Sequence, residues 1–322
     1  VKRPVALGLT SAIVVLVLTI HYMPPIDDFN PANPFWNGLS RASEALGLSP
    51  LEDLRRLGVY TGSGKAREHV LLILGPSIPF TYEEAEAIRR FLVEGGLLIL
   101  ADDFGTGNEL LEMLGLDIRL DGSLLLDPHF KLKSRQLPKI IRIAGLEAVG
   151  PTFNYATIVT GHGFKTLASS SSFSFLDLNG NMEWDEGEPR GPFSVAAETN
   201  FGGGRVIVVS DSSFMINSMF ESEGNAELAA RILDGRRPLL DISHWRVGTL
   251  SRAKEALAAV FHLASIPEVK YSMVLVTTAV VLRIRYKQVR VKRSGVEDIL
   301  KRHPDWDRKI LEMLEEDLRH GI

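Results

Sequence analysis

Cysteine is absent from the 322 residues, which removes disulfides, thiolate metal sites and a cysteine nucleophile together. Glutamine is nearly absent as well, present only as Gln136 and Gln288, and the loss of both thermolabile types leans towards a thermophilic source. Positive charge is not in excess: 36 Lys and Arg stand against 40 Asp and Glu, and the one dense basic cluster lies near the C-terminal end. Nucleic acid is therefore not an expected partner. A Walker loop is missing, and the glycines of "GTGN" and "FGGGR" make no dinucleotide fingerprint, because "GGGR" precedes a strand pattern instead of opening a helix. His69, His129, His162 and His244 are scattered without the spacing of a zinc site.

What is present is enough apolar material, 45% of residues, for one large folded domain or two small ones. The ends carry the plainest signals. Lys2 and Arg3 precede an uncharged apolar run from Pro4 to Met23, long enough at about 1.5 Å per residue to cross a bilayer core of about 30 Å. It reads as a transmembrane anchor over 1–23; for the alternative, a cleaved signal peptide, "HYMPPIDD" offers no small-residue cleavage pattern. A second, shorter apolar segment over 269–286 becomes long enough if Lys270 and Arg283 snorkel, the alternative being a buried core element. Arg283, Arg285, Lys287, Arg290, Lys292 and Arg293 follow, as the positive-inside rule expects of a cytoplasmic exit. Both termini are thus expected in the cytoplasm and the body, 24–244, outside it, with 245–268 as a connector. The tail, 287–322, carries Val296, Ile299, Leu300, Trp306, Ile310, Leu311, Leu314 and Leu318 at helical spacing, broken near Pro304.

Within the body, "HVLLILG" and "LLILA" are unbroken apolar runs of strand length, and helix patterns follow each. The first helix has Thr81 as N-cap, Glu84 at the capping-box position and Gly95-Gly96 as its stop. Uninterrupted strands alternating with helices imply a parallel sheet covered on both faces. "KIIRI", "YATIVT", "SFSFLDL" and "FSVAAE" read as an antiparallel addition returning to a final central strand, Arg205 to Ser210, after which "NAELAARIL" closes the domain. In such sheets ligands bind beyond the carboxyl ends of strands. Asp102, Asp103, Thr106 and Asn108 occupy that place after the second strand, and Ser210, Asp211 and Ser212 after the last, as a candidate ligand pocket. Helix capping explains the same residues equally well.

"IRRFLVEGGLLILADDFGTGNELLEMLGL" resembles the helix-strand-elbow-helix unit of the class I glutamine amidotransferase fold, a flavodoxin-like α/β sandwich. Together with "NPFWNGLS" and "GGRVIVVSDSSFMINSM" it resembles the membrane proteins of domain of unknown function 4350, over roughly Phe29 to Leu233. The resemblance implies a noncatalytic relative of the amidotransferases, with genes often lying near those of an AAA-type ATPase and other membrane-anchored proteins. Where the catalytic Cys would stand, this chain has Asp102-Asp103, and where His and Glu would follow the late strand it has Ser210, Asp211 and Ser212. Thiolate attack on glutamine needs a thiol and a base, and this chain has neither at those places.

The stretch "FLDLNGNMEWDEGEP" concentrates oxygen side chains. Counting from Asp177, oxygens fall at the first, third, fifth, ninth and twelfth places as Asp177, Asn179, Asn181, Asp185 and Glu188, with the Glu183 carbonyl at the seventh, an EF-hand-like spacing for Ca2+. Gly180 stands at the fourth place and Met182 at the sixth, where calcium loops use Gly. A metal-free polar turn is the alternative. The expectation is a membrane-anchored extracytoplasmic binding or assembly component, its partners the bilayer, membrane-complex proteins and a cytoplasmic AAA-type ATPase. The rival is a hydrolase using Asp102, Asp103 or Asp211.

Overall fold

His69–Leu74 and Leu97–Ala101 are buried at every position, as strands covered on both faces must be. They lie at the centre of an eight-stranded sheet in the computed structural model, which describes residues 2–62, 64–143 and 150–320. The side chains at 2, 3, 6, 287–294 and 318–320 are outside the description, so the expectations placed on those of Lys2, Arg3, Lys287, Arg290, Lys292, Arg293 and Leu318 fall beyond it.

In chain order the strands are β1 (Ser49–Leu51), β2 (His69–Leu74), β3 (Leu97–Ala101), β4 (Ile118–Leu120), β5 (Leu124–Leu126), β6 (Arg142–Ile143), β7 (Val159–Gly161), β8 (Lys165–Ser169), β9 (Phe175–Asp177), β10 (Ser194–Phe201), β11 (Gly204–Val209) and β12 (Arg237–Asp241). The large sheet runs β1-β12-β2-β3-β11-β10-β8-β6. Its pairs from β1 to β11 are parallel, and those from β11 through β10 and β8 to β6 are antiparallel. Two antiparallel ribbons, β4 with β7 and β5 with β9, complete the addition. The molecule is thus a mixed α/β protein with a mostly parallel sheet.

The helices are α1 (Lys2–Tyr22), α2 (Ser40–Leu46), α3 (Tyr82–Val93), α4 (Gly107–Leu114), α5 (Asn217–Phe220), α6 (Asn225–Ile232), α7 (Thr249–Ser265), α8 (Pro267–Arg302) and α9 (Arg308–His320). Thr81 Oγ1 accepts the Glu84 N–H at 3.3 Å and Glu84 Oε2 accepts the Thr81 N–H at 2.8 Å, so α3 starts on the capping box its sequence implied. Ile88, Phe91 and Leu92 of α3 and Leu110, Leu111 and Leu114 of α4 pack on Leu71, Ile73, Leu98 and Leu100. Ala42, Met219, Phe220, Leu228 and Ile232, from α2, α5 and α6, cover Leu72, Leu74, Leu97 and Ile99 on the opposite face. Each buried Leu or Ile contributes about 1.5–3 kcal/mol through this burial.

One expectation needs correction. The chain does not close at α6: β12 follows and inserts between β1 and β2. Its segment "RPLLD" opens with Arg and Pro, and the three residues of β1 include Pro50, so neither shows a strand-length apolar run. The stretch read as a connector over 245–268 is mostly α7, and α8 continues through the basic run to Arg302 without a break.

The chain divides into two compact units, 1–253 and 254–322. In the second, α8 and α9 are separated around Pro304, where the His303 ring stacks on Trp306 at 4.5 Å, and Val296 and Leu311 are buried. Among the described residues no single helix is long and apolar enough to cross a membrane; α7 and Pro267–Tyr286 meet that measure only as a pair, bent by 80°.

Candidate functional site

The connection after β3 goes to α4 on one face of the sheet, whereas that after β11 goes to α5 and α6 on the other. Adjacent parallel strands whose connections diverge leave a crevice at their carboxyl ends. Both acidic stretches singled out from sequence converge there. Asp102 follows β3 and its N–H reaches the Val209 carbonyl of β11 at 3.0 Å, while Ser212 Oγ donates to Asp103 Oδ1 at 3.2 Å across the crevice.

Asp102 does not face outward. Its Oδ1 accepts the N–H groups of Asp103 at 2.9 Å and Gly105 at 3.0 Å, and its Oδ2 accepts that of Gly107 at 2.8 Å, at the start of α4. Successive N–H groups at a helix start form a nest for an anion, and here the chain's own carboxylate fills it. The glycines are a steric requirement: a Cβ on Gly105 or on Gly107 would lie 2.6 Å from an Asp102 carboxylate oxygen. Thr106 Oγ1 bonds the carbonyls of Pro76 and Ile78, and the Asn108 amide exchanges two 2.9 Å hydrogen bonds with the backbone of Leu120, fixing α4 to β4.

Asp211 is completely buried and likewise committed. Its Oδ2 accepts the Asn154 N–H at 2.7 Å and its Oδ1 the Ser213 N–H at 2.7 Å. Burial pushes the Asp102 carboxyl up to about 6, partly opposed by the Gly107 N–H and reinforced by the charge of Asp103. Burial also raises Asp103 above the usual range, and it raises Asp211 well above it, with the Asp103 charge adding to the effect. Ser210 Oγ is buried and has no hydrogen-bond partner among the described residues. Of these residues Asp103 alone keeps a carboxylate partly open to solvent.

Phe29 was not legible as part of this region. It adopts a φ of 57° and lays its ring over Gly75, where an added Cβ would come within 2.8 Å of a ring carbon and 3.2 Å of Ser212 Cβ. The Phe29 ring stacks on Trp245 at 5.9 Å, and Trp245 Nε1 donates to the Leu74 carbonyl at 2.6 Å. The connector that carries Phe29 is stitched down by Asn217, whose amide nitrogen bonds the carbonyls of Asn33 and Phe35 and whose amide oxygen accepts the Arg41 N–H. "NPFWNGLS" and "SSFMINSM" thus form one structural unit, although the Trp36 ring itself stays exposed.

A second buried polar group is His244, beyond β12. Its Nδ1 lies 2.7 Å from Asp241 Oδ2, its Nε2 lies 3.6 Å from Glu84 Oε2, and its ring stacks on Phe80 at 4.0 Å. Burial pulls its pKa down, but the Asp241 hydrogen bond and the charges of Asp241 and Glu84 outweigh this and hold it above the ordinary value. Asp241 stands three residues before His244, but Phe80 and Glu84 are distant in the chain, and the insertion of β12 beside β2 brings them together.

The oxygen-rich loop extends from β9. Asp177 Oδ1 accepts the Gly180 N–H at 2.7 Å and Oδ2 the Met182 N–H at 3.0 Å, while the Asn179 and Asn181 oxygens accept the N–H groups of Asn181 and Glu183. Met182 takes a φ of 63°, the left-handed turn a Gly usually supplies at the sixth place. Asn179 and Asn181 both direct their amide nitrogens at Asp185 Oδ2, at 2.6 and 2.7 Å, and Glu188 accepts the N–H groups of Leu178 and Asp185. Glu183 pairs with Arg135 at 3.0 Å. The donor chemistry, carboxylate and amide oxygen, suits calcium. Among the described residues, however, no three His, Asp or Glu side chains stand close enough to hold a metal ion, and hydrogen bonds to Asp185 occupy the centre of the loop.

The family model described as Domain of unknown function (DUF4350) matches residues 32–233, more than half of the chain, and the chain belongs to that family. No curated protein matches it. Among solved structures, the mmIFT52 N-terminal domain is similar at 17% identity and a TM-score of 0.41, over 56% of this chain and 80% of that one. A β-galactosidase from Bacillus circulans sp. alkalophilus is similar at 15% identity and a TM-score of 0.33, over 53% of this chain and 23% of that one. An exo-β-1,4-mannosidase, Op5Man5 from Opitutaceae bacterium strain TAV5, is similar at 14% identity and a TM-score of 0.26, over 46% of this chain and 22% of that one. Scores this low define neither a narrower fold family nor an activity.

Proposed function

We propose that the chain is a membrane-anchored, extracytoplasmic binding or assembly component, an amidotransferase-like α/β domain without amidotransferase chemistry. The observation that carries this reading is the state of the crevice. Where this architecture places reacting groups, Asp102 and Asp211 have both oxygens engaged by the chain's own N–H groups. A general base needs a carboxylate within reach of a substrate proton, and neither group offers one. The rival hydrolase reading keeps two supports: the Asp103 carboxylate is partly open to solvent, and its charge helps raise Asp211, as in acid pairs that share a proton.

Anchoring is supported by the apolar helix Leu7–Tyr22 and by the exposed apolar residues Val260, Phe261 and Leu263 of α7 with Val274, Leu275 and Val276 of α8, which together suit a broken span over 249–286. Both termini then lie in the cytoplasm, where α9, with Ile310, Met313 and Leu314 exposed, couples the outer domain to a partner such as an AAA-type ATPase. The Asp177–Glu188 loop takes Ca2+ outside the cell, the cation replacing the two Asn amides at Asp185. Protease added to sealed right-side-out vesicles should remove the body and spare the tail; digestion of the tail from Arg283 onward in intact vesicles overturns the topology.

A further inference from the structure

The region around Phe29 encloses a cavity of about 480 Å³ at the carboxyl edge of β2 and β12, lined by Ile26 to Phe29, Gly75, Ser77 and Trp245 to Leu250, Val247 excepted. We propose that this cavity binds a zwitterionic group made of an ammonium and a phosphodiester, the headgroup of an aminophospholipid. The lipid source rests on the membrane-anchored reading above; the chemistry of the cavity does not.

The walls are preformed. Phe29 is held over Gly75, and the Trp245 ring is fixed by its bond to Leu74, so little side-chain freedom is lost when a ligand enters. Aromatic faces beside carboxylates attract an organic ammonium through the ring quadrupole and by charge. Asp27 is spoken for, since its Oδ1 accepts the Gly248 N–H at 2.8 Å and its Oδ2 the Ser251 hydroxyl. Asp28 is exposed and bonds Asn37 Nδ2 through Oδ1 alone, which leaves Oδ2 for an ammonium. Arg246 is exposed on the same lining, and no carboxylate pairs with its guanidinium among the described residues. It suits a phosphodiester oxygen. The two Asp residues and one Arg give the lining a net negative charge, which disfavours a purely anionic ligand, whereas a ligand carrying both charges satisfies Asp28 and Arg246 together.

Position selects the source. Ile26 stands four residues beyond the end of α1 at Tyr22, and Thr249 and Leu250 open α7, so the cavity lies between the stretches that lead to both apolar flanks. A headgroup is the zwitterion present in bulk at such a place.

The test uses the full chain reconstituted into vesicles of phosphatidylethanolamine and phosphatidylglycerol, re-extracted in mild detergent, with retained lipid identified by native mass spectrometry. Phosphatidylethanolamine should be retained in excess over its share of the vesicle. Arg246→Gln and Asp28→Asn, both at exposed positions, should each reduce that excess about tenfold, which corresponds to about 1.4 kcal/mol. Phe29→Leu should reduce it with the charges intact. Retention of soluble glycerophosphoethanolamine, the same diester without acyl chains, with no lipid excess assigns the same cavity chemistry to a free zwitterion. A chain that fails to float with vesicles yet binds glycerophosphoethanolamine sinks the anchoring and leaves the cavity proposal standing. Equal retention of both lipids by the parent and by Arg246→Gln, with no binding of glycerophosphoethanolamine, overturns it.

Discussion

Asp102–Asn108 and Asp177–Glu188 are both short loops of Asp, Asn and Gly that leave the end of a strand, and both open with an Asp whose two oxygens accept backbone N–H groups. They diverge in what surrounds that first carboxylate. Asp102 itself is buried beneath its loop, and the one other acid there, Asp103, is half-buried and bonds Ser212. The Asp177 loop projects Glu183, Asp185 and Glu186 into solvent, and among the described residues Arg135 pairs with Glu183. The same residue types therefore serve as an internal anion in one place and as an open cluster of negative charge in the other, and burial makes the difference.

That contrast can be broken most forcefully at Asp102. Asp102→Ala removes the acceptor from the N–H groups of Asp103, Gly105 and Gly107, the last of them buried, and with about 1–3 kcal/mol for a buried group left unsatisfied the fold should lose about 2 kcal/mol or more. Denaturant unfolding of the full chain in detergent would measure this, and a loss below about 1 kcal/mol would remove the nest as a structural element. Calcium should sharpen the other side. At 100 times its dissociation constant it should stabilise the chain by about 2.7 kcal/mol, and Asp177→Ala with Glu188→Ala should abolish the response. Identical melts in chelator and in calcium would reduce that loop to a bare turn.

The two regions should also separate by pH. Asp102 has a folded pKa of about 6 against an ordinary 3.8, so the folded state binds its proton more tightly than the unfolded chain does. Its cost to stability is absent below about pH 4, grows as pH climbs to about 6, and is constant above. Asp103 and Asp211 act in the same direction. His244, raised above its ordinary 6.5, contributes stability that is complete below that value and is lost as pH rises through its folded pKa. The melting temperature without calcium should therefore fall between mildly acidic and mildly alkaline pH, and His244→Phe should flatten the upper part of the profile. A melting temperature that rises over the same interval would contradict the buried acids. The smallest effect is expected at Met182→Gly, which relieves a left-handed backbone at φ 63° but frees the unfolded chain, for a net gain below about 1 kcal/mol together with tighter calcium binding.

The sheet's centre and its crevice were legible because β2 and β3 are apolar throughout and Thr81 and Glu84 mark where α3 begins. Its outer strands were not, since β1 and β12 are held by neighbours and not by any pattern of their own. The acidic loops were placed correctly along the chain, yet their roles depend on which way each carboxylate turns. For Asp102 that is decided by two glycines whose missing side chains make room for it, and for the aromatic cavity by Phe29, whose conformation no local sequence signal announces. His244 needed Glu84, which is distant in the chain and reaches it only because β12 lies beside β2.

Asp27 bonds both Gly248 and Ser251, so the segment that enters the α/β domain and the one that leaves it are clasped at a single residue. The same closeness of ends makes the domain a cassette, transferable into a surface turn of an unrelated host with short linkers and little distortion of either fold.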